Sequence, residues 1–354
     1  MFCTFVSNLC MVRRMATATA TATSDFTRLS RLMKQAGLLG RRPGYYRIRL
    51  SVVAGLYLGG VAAFFWLGDS WFQLALAVGF AIVFTQVALV LHDLAHRQIF
   101  TGRTPSEPLG RVGGNLGIGL AYGWWMNKHT RHHANPNHED LDPDVSPDVL
   151  VWSQEQARNS KGLARRIGGR QAFLFYPLLL LEGLNLHVAG VRALRQPWMK
   201  HRALEGALLL AHFVLYLGAL AWVLSPGKAL AFFAVHQGLF GIYAGCVFAP
   251  GHKGMPMVSE GTTLDFLRKQ VLTTRNVRGG RFTDIAMGGL NYQIEHHLFP
   301  SMPTPNLRLA RPIVRAYCQE LGLPYHEVGF AASHAEALRH LHHAGAPLRK
   351  EARP

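Results

Sequence analysis

Eight histidines of this 354-residue chain are grouped in a way that could do chemistry. His92 and His96 form HDLAH. His129, His132 and His133 form HTRHH, and His296 and His297 close QIEHH behind Gln293. His252 stands alone between the second and third groups. Helix positions i, i+3 and i+4 share one face, so each group can aim its imidazoles at one point. Neutral imidazole is a metal ligand, and so many of them at the ends of apolar runs imply a metal centre of more than one ion.

Those groups need a scaffold. Hydrophobic residues make up 49% of the chain, high for a soluble protein. Four apolar runs, 50–67, 71–90, 204–224 and 228–248, each approach the ~20 residues that cross ~30 Å of hydrocarbon. The links Gly68–Ser70 and Ser225–Gly227 are short enough to make each pair of runs a hairpin. Of 37 Lys and Arg residues, Lys228 alone then falls on the far side. The positive-inside rule makes the other side cytoplasmic, with both termini and all the histidine groups. The net charge of +17 therefore reflects membrane topology and not nucleic-acid binding. The predicted architecture is an all-α integral membrane protein, with four transmembrane helices in two hairpins and a cytoplasmic helical cap holding the metal site. Segment 172–190, interrupted by Pro177, Glu182, Asn185 and His187, is expected to be re-entrant or interfacial, because a fifth span would strand the third group on the opposite side. Segment 109–126, ending in Trp124 and Trp125, is expected at the headgroup level.

HDLAH, HTRHHANPN and NYQIEHHLFP resemble the three histidine boxes of the membrane fatty acid desaturases, a di-iron family, over about His92 to Pro300. The QxxHH form resembles the front-end branch, which acts on acyl-CoA or acyl-lipid. Composition and charge mark residues 1–49 as a basic cytoplasmic region (1–24 disordered, Met15 a candidate start) and 301–354 as a cytoplasmic cap and tail with a helix near 304–321, while the resemblance implies 50–300 as the membrane desaturase domain. It implies His92, His96, His129, His132, His133, His296 and His297 as ligands of two irons, joined by His252 and Gln293. No catalytic residue is expected beyond the metal centre. Some relatives carry Asn four residues before the lone histidine, where this chain has Phe248.

The implied reaction is O2-dependent introduction of a cis double bond into a fatty acyl chain. The methylene C–H bond is too strong for side-chain acid–base chemistry, and an iron-based oxidant made from O2 supplies the power. A fatty acyl or lipid hydroxylase on the same scaffold is the alternative. A histidine-rich metal transporter is disfavoured, because transporters place ligands near the bilayer midplane. No HPGG heme motif occurs, so electrons are expected from an external ferredoxin- or cytochrome b5-type carrier with an NAD(P)H-dependent reductase, steered to Arg275, Arg278 and Arg281. The excess of Arg over Lys suggests a bacterial plasma membrane.

Around the ligands, Asp93, Asp142, Asp144, Glu182, His187, Asn291 and Glu295 are candidates to accept the outward N–H of ligating imidazoles. Asp142 and Asp144 could equally be turn and cap residues. His212 and His236, inside spans, are expected to bond helix to helix. His326, His334, His340, His342 and His343 are expected in a solvated tail. Cys3, Cys10, Cys246 and Cys318 lack CxxC spacing, which argues against a zinc ribbon or disulfide framework.

Overall fold

The computed structural model describes residues 22–351. The expected disorder of 1–24 and the alternative start at Met15 fall largely outside them, although Ala22–Ser24 open a helix, Ala22–Gln35. The chain is helical apart from a parallel pair of three-residue strands, β1 (Asn276–Arg278) and β2 (Glu327–Gly329). It divides into two compact units that interleave along the sequence. One holds residues up to Gly40, Lys128–Phe175 and Val247 onward; the other holds Arg41–Asn127 and Tyr176–Cys246.

The second unit contains the helices long and apolar enough to cross a membrane: Pro43–Leu67, Gln73–Ala95, Arg202–Val223 and Pro226–Phe248, the last continuing by two residues into the other unit. These are the four runs read from sequence, lengthened at their polar ends. Apolar residues cover their whole circumference, and many stay exposed, including Leu56, Leu58, Leu210 and Leu215. In water such surface would associate; in lipid it is solvated. The composition fits a multi-pass membrane protein. Exposed Trp66, Trp71, Phe72 and Trp222 gather beside the two short links, where amphipathic rings suit a membrane–water boundary. Asp69 of the first link accepts the backbone N–H of Ser225 at 2.9 Å and the Lys228 ammonium at 2.9 Å, which ties the links together.

A π-helical turn, Val112–Gly117, follows the short helix Arg103–Arg111. Glu205, fully buried, accepts Gly123 N at 3.0 Å and Asn115 Nδ2 at 3.1 Å, with Arg111 Nε at 3.3 Å. The His212 ring bonds Leu116 O at 2.9 Å and the His187 ring bonds Gly119 O at 2.8 Å. Gly119 has φ +68°, and a Cβ there would lie 2.7 Å from the His212 ring, so both its handedness and its bareness are used. Tyr216 OH meets His236 Nδ1 at 2.7 Å across two spans, so both intramembrane histidines serve helix-to-helix bonding as expected. Gln171–Leu179 and Glu182–Ala193 meet at a 76° bend, a broken span or a re-entrant loop by geometry.

The other unit has its own core. Leu29, Met33 and Leu38 pack with Leu267, Val271, Ile294, Leu298 and the buried stripe of Thr304–Glu320: Leu307, Ala310, Val314, Tyr317 and Cys318. That stripe has helical spacing, and each large apolar member contributes ~1.5–3 kcal/mol by burial. The C-terminal stretch is not a solvated tail. Phe330–Ala344 is a helix whose inner face buries Ser333, His334, Ala337, His340, Leu341 and Ala344. Only His342 and His343 are fully exposed among the tail histidines. His334 and His340 each lie three residues from Ala337 and, with Leu341 and Ala344, fall at the i, i+3, i+4 and i+7 steps of a buried helix face.

Candidate metal centre

The helix Tyr122–Ala134 puts His129, His132 and His133 on its last turns, and the short helix Gln293–Leu298 presents Gln293, His296 and His297. His252 sits in a turn just after Pro226–Phe248. Within this unit the rings form two adjacent sets. The donor nitrogens of His132, His252 and His297 lie within 4.8 Å of one another, and so do those of His129, His133 and His296. His132 Nε2 is 3.2 Å from His252 Nε2, and His133 Nε2 is 3.2 Å from His296 Nε2. The rings of His133 and His297 stack at 4.1 Å and join the sets. Gln293 Nε2 stands 2.8 Å from His252 Nε2; the amide's two ends are interchangeable, so its oxygen can take the same place. In the other unit, His92 ends the helix Gln73–Ala95, His96 caps it, and their rings are 4.7 Å apart.

The outward nitrogens are organised. Buried Asp142 accepts His132 Nδ1–H at 3.0 Å, and is itself held by Asn137 N at 2.8 Å and Asp144 N at 2.9 Å. Gln270, fully buried, accepts His297 Nδ1–H at 2.9 Å and donates to His133 O at 3.0 Å. Each partner fixes the tautomer that leaves Nε2 with a lone pair toward the centre. Burial and the neighbouring imidazoles push His252 and His297 well below the usual histidine range, so both are neutral at pH 7. His297 Nε2 is buried with no hydrogen-bond partner among the described residues. An orphaned lone pair costs free energy unless something electrophilic takes it up. Two imidazole nitrogens bound to one ion at ~2.1 Å would stand ~3 Å apart, close to the observed 3.2 Å pairs. Nitrogen-rich donor sets of this kind suit iron. The residues fit a metal.

The other residues singled out by sequence have different partners. Asp93 is buried 3.3 Å from Arg49, and its carboxylate is 3.8 Å from His92 Nδ1, beyond hydrogen-bond reach. Asp144 lies 3.4 Å from His132 Nδ1 and 2.8 Å from Lys128. Burial alone would raise its pKa, but Lys128, His132 and Lys253 hold it well below the carboxylate range. Glu182 takes Asn185 Nδ2 at 3.2 Å. His187 spends its two nitrogens on Gly119 O and Gln237 Oε1. Asn291 donates to Asp284 at 2.9 Å. Glu295 accepts Tyr325 OH and Asn276 Nδ2, each at 2.7 Å, and burial raises its pKa to about 7. Arg275 is not a docking residue, because it is wholly buried; Arg278 and Arg281 are exposed.

Sequence reasoning missed Gln270. Its signal was present: an amide between Leu267 and Val271 on the buried face of the helix Phe266–Leu272, where an apolar residue would be the default.

The family model for fatty acid desaturases matches residues 69–329. The chain is 30% identical over 328 residues to an acyl-lipid (9-3)-desaturase of Physcomitrium patens, covering 90% of this chain and 62% of that protein. It is 29% identical to a Δ8 fatty acid desaturase of Euglena gracilis, covering 86% of this chain and 74% of the relative. It is 28% identical to a Δ5 fatty acid desaturase of Caenorhabditis elegans, covering 85% and 69%. The chain thus spans less than two thirds of the moss relative's length.

Proposed function

The chain belongs to the fatty acid desaturase family, and from that premise we propose that it inserts a cis double bond into a fatty acyl chain, carried as acyl-CoA or acyl-lipid, using O2. The observation that carries this reading is the meeting of imidazoles from three separated stretches in two adjacent sets. We assign one iron to His132, His252 and His297 with Gln293 beside them. We assign the other to His129, His133 and His296; His92 and His96, at the end of Gln73–Ala95, are ligands that the resemblance implies. Bound iron would supply the O2-derived oxidising power for the C–H bonds. The chain's own residues do the rest: Asp142 and Gln270 keep protons on Nδ1 of His132 and His297. Electrons come from outside these 354 residues, through a ferredoxin- or cytochrome b5-type carrier served by an NAD(P)H reductase. Exposed Arg278 and Arg281 suit an acidic docking partner, whose rate falls as salt shortens the Debye length from ~10 Å at 0.1 M to ~3 Å at 1 M.

The test is expression with a carrier and reductase, followed by mass analysis of acyl products. Desaturation gives a chain lighter by two hydrogens. A chain heavier by one oxygen would make the protein a hydroxylase and overturn the proposal.

We further propose that the histidine groups and both chain ends face the cytoplasm of a bacterial plasma membrane, with the spans as two hairpins. The skewed distribution of Lys and Arg supports this. Single cysteines near Gly68 and Pro226 should label only from outside, and those at 140–160 and 305–340 only from inside. Outside labelling at 305–340 would mean that the bent segment Gln171–Ala193 spans the membrane.

Gln293→His should retain iron but alter turnover or the position of the double bond, because an imidazole donates more strongly than an amide. Gly251 packs closely on this side chain: a Cβ added to it would lie 2.7 Å from Gln293 Cγ. Wild-type turnover and product in Gln293→Ala would make the amide purely structural.

A further inference from the structure

We propose that the helix Phe330–Ala344, in the C-terminal segment, acting through Arg275, is the clamp that positions His252; this rests on the di-iron reading above. His252 is the one proposed imidazole ligand carried on an open turn and not on a helix or its cap. Its own carbonyl takes Asn137 Nδ2 at 3.1 Å. The three carbonyls flanking it all go to a single residue. Arg275 donates Nε–H to Pro250 O at 2.6 Å, its backbone N–H to Gly251 O at 2.9 Å, and Nη2–H to Lys253 O.

The far side of the guanidinium is held by the helix Phe330–Ala344. Nη1 pairs with the Glu336 carboxylate, and Nη2 also donates to Ser333 O at 3.2 Å. His326 Nε2 buttresses the same carboxylate at 3.0 Å. A second contact is independent of Arg275. Gly254 has φ +92°, and a Cβ on it would lie 2.8 Å from Glu336 O and 3.1 Å from Ala337 N, so turn and helix touch backbone to backbone.

The chemistry explains the residue type. A planar fork reaches carbonyls and a carboxylate at once, whereas an ammonium is a point charge. Arg275 is wholly buried and Glu336 is half-buried, so the guanidinium relies on this carboxylate and the surrounding carbonyls in place of water, and losing Glu336 leaves a buried charge short of its partner. Ser333 and Glu336 lie beyond residue 329, where the family model's match ends. Arg275 and Glu336 are positioning residues; neither is assigned to the metal.

The experiment uses the full chain carrying Glu336→Gln or Arg275→Lys, with Glu336→Asp as the conservative rescue. Amide hydrogen exchange is read with and without iron, alongside iron content and Mössbauer spectra. We expect exchange at 249–255 to rise while the helix Thr304–Glu320 keeps wild-type protection, which separates a loosened turn from global unfolding. We expect iron at the His132, His252 and His297 set to bind ~10–100-fold more weakly, the other iron's signal to persist, and Glu336→Asp to recover most of the loss. Unchanged exchange at 249–255 overturns the clamp. Raised exchange with both irons bound as in wild type overturns the positioning of His252. A wild-type chain that binds no iron overturns the di-iron reading instead, and iron-free exchange still decides the clamp.

Discussion

Alanine at His132, His133, His296 or His297 is expected to reduce acyl turnover to background and to lower iron content, with membrane insertion and expression unchanged. These rings contribute coordination rather than hydrophobic packing. His132 and His297 belong to one triad and His133 and His296 to the other, and the spans lie in a different compact unit. Loss of one imidazole from a set of three leaves too few donors to hold an ion against water. Iron analysis and product profiling on the same preparations check this. Full activity in two of the four variants would sink the ligand assignment.

The second large effect is expected at residues that touch no metal. Asp142→Asn should weaken iron binding ~10–100-fold, and Gln270→Leu should do the same. Asp142 is the sole acceptor within 3.1 Å that fixes the His132 ring, and two backbone N–H groups, of Asn137 and Asp144, aim it. Gln270→Leu removes the acceptor from His297 Nδ1–H and the donor from His133 O together. Gln270→Glu should fall between, since it keeps the acceptor and loses the donor. Competition with a chelator measures the affinities. Wild-type affinity in Gln270→Leu would show that ring orientation is set by packing alone.

The legible part of this molecule is what periodicity and hydropathy encode. Four helices stand where apolar runs of span length occur, and imidazoles at i, i+3 and i+4 do share faces. Asp142 was legible too, because a carboxylate ten residues after His132 can return to it through a turn. What escaped is what tertiary packing decides. Gln270 was passed over because a single amide in FLRKQVL gives no periodic signal, and its value lies in two contacts more than 25 residues away. Arg275, expected among the carrier-docking arginines, carries no sequence signal of its burial; only the folded turn shows three carbonyls bound to it. His334 and His340, expected in a solvated tail, are buried instead, because each stands three residues from Ala337 on the inner face of Phe330–Ala344. Glu205 sat in an apolar run and acquired meaning only from the glycine-rich backbone it satisfies.

The contact between His133 and His296 joins residues 163 positions apart. No shorter stretch of chain can build that set, so order of synthesis becomes order of assembly. The apolar helices can enter the bilayer as they emerge, but the donors of the second box must wait, exposed, for the third. On the ligand assignment proposed above, metal capture would be a late event, gated by the arrival of the final histidine pair. A chain stalled before residue 296 would be inserted and yet blank, competing for lipid without competing for iron.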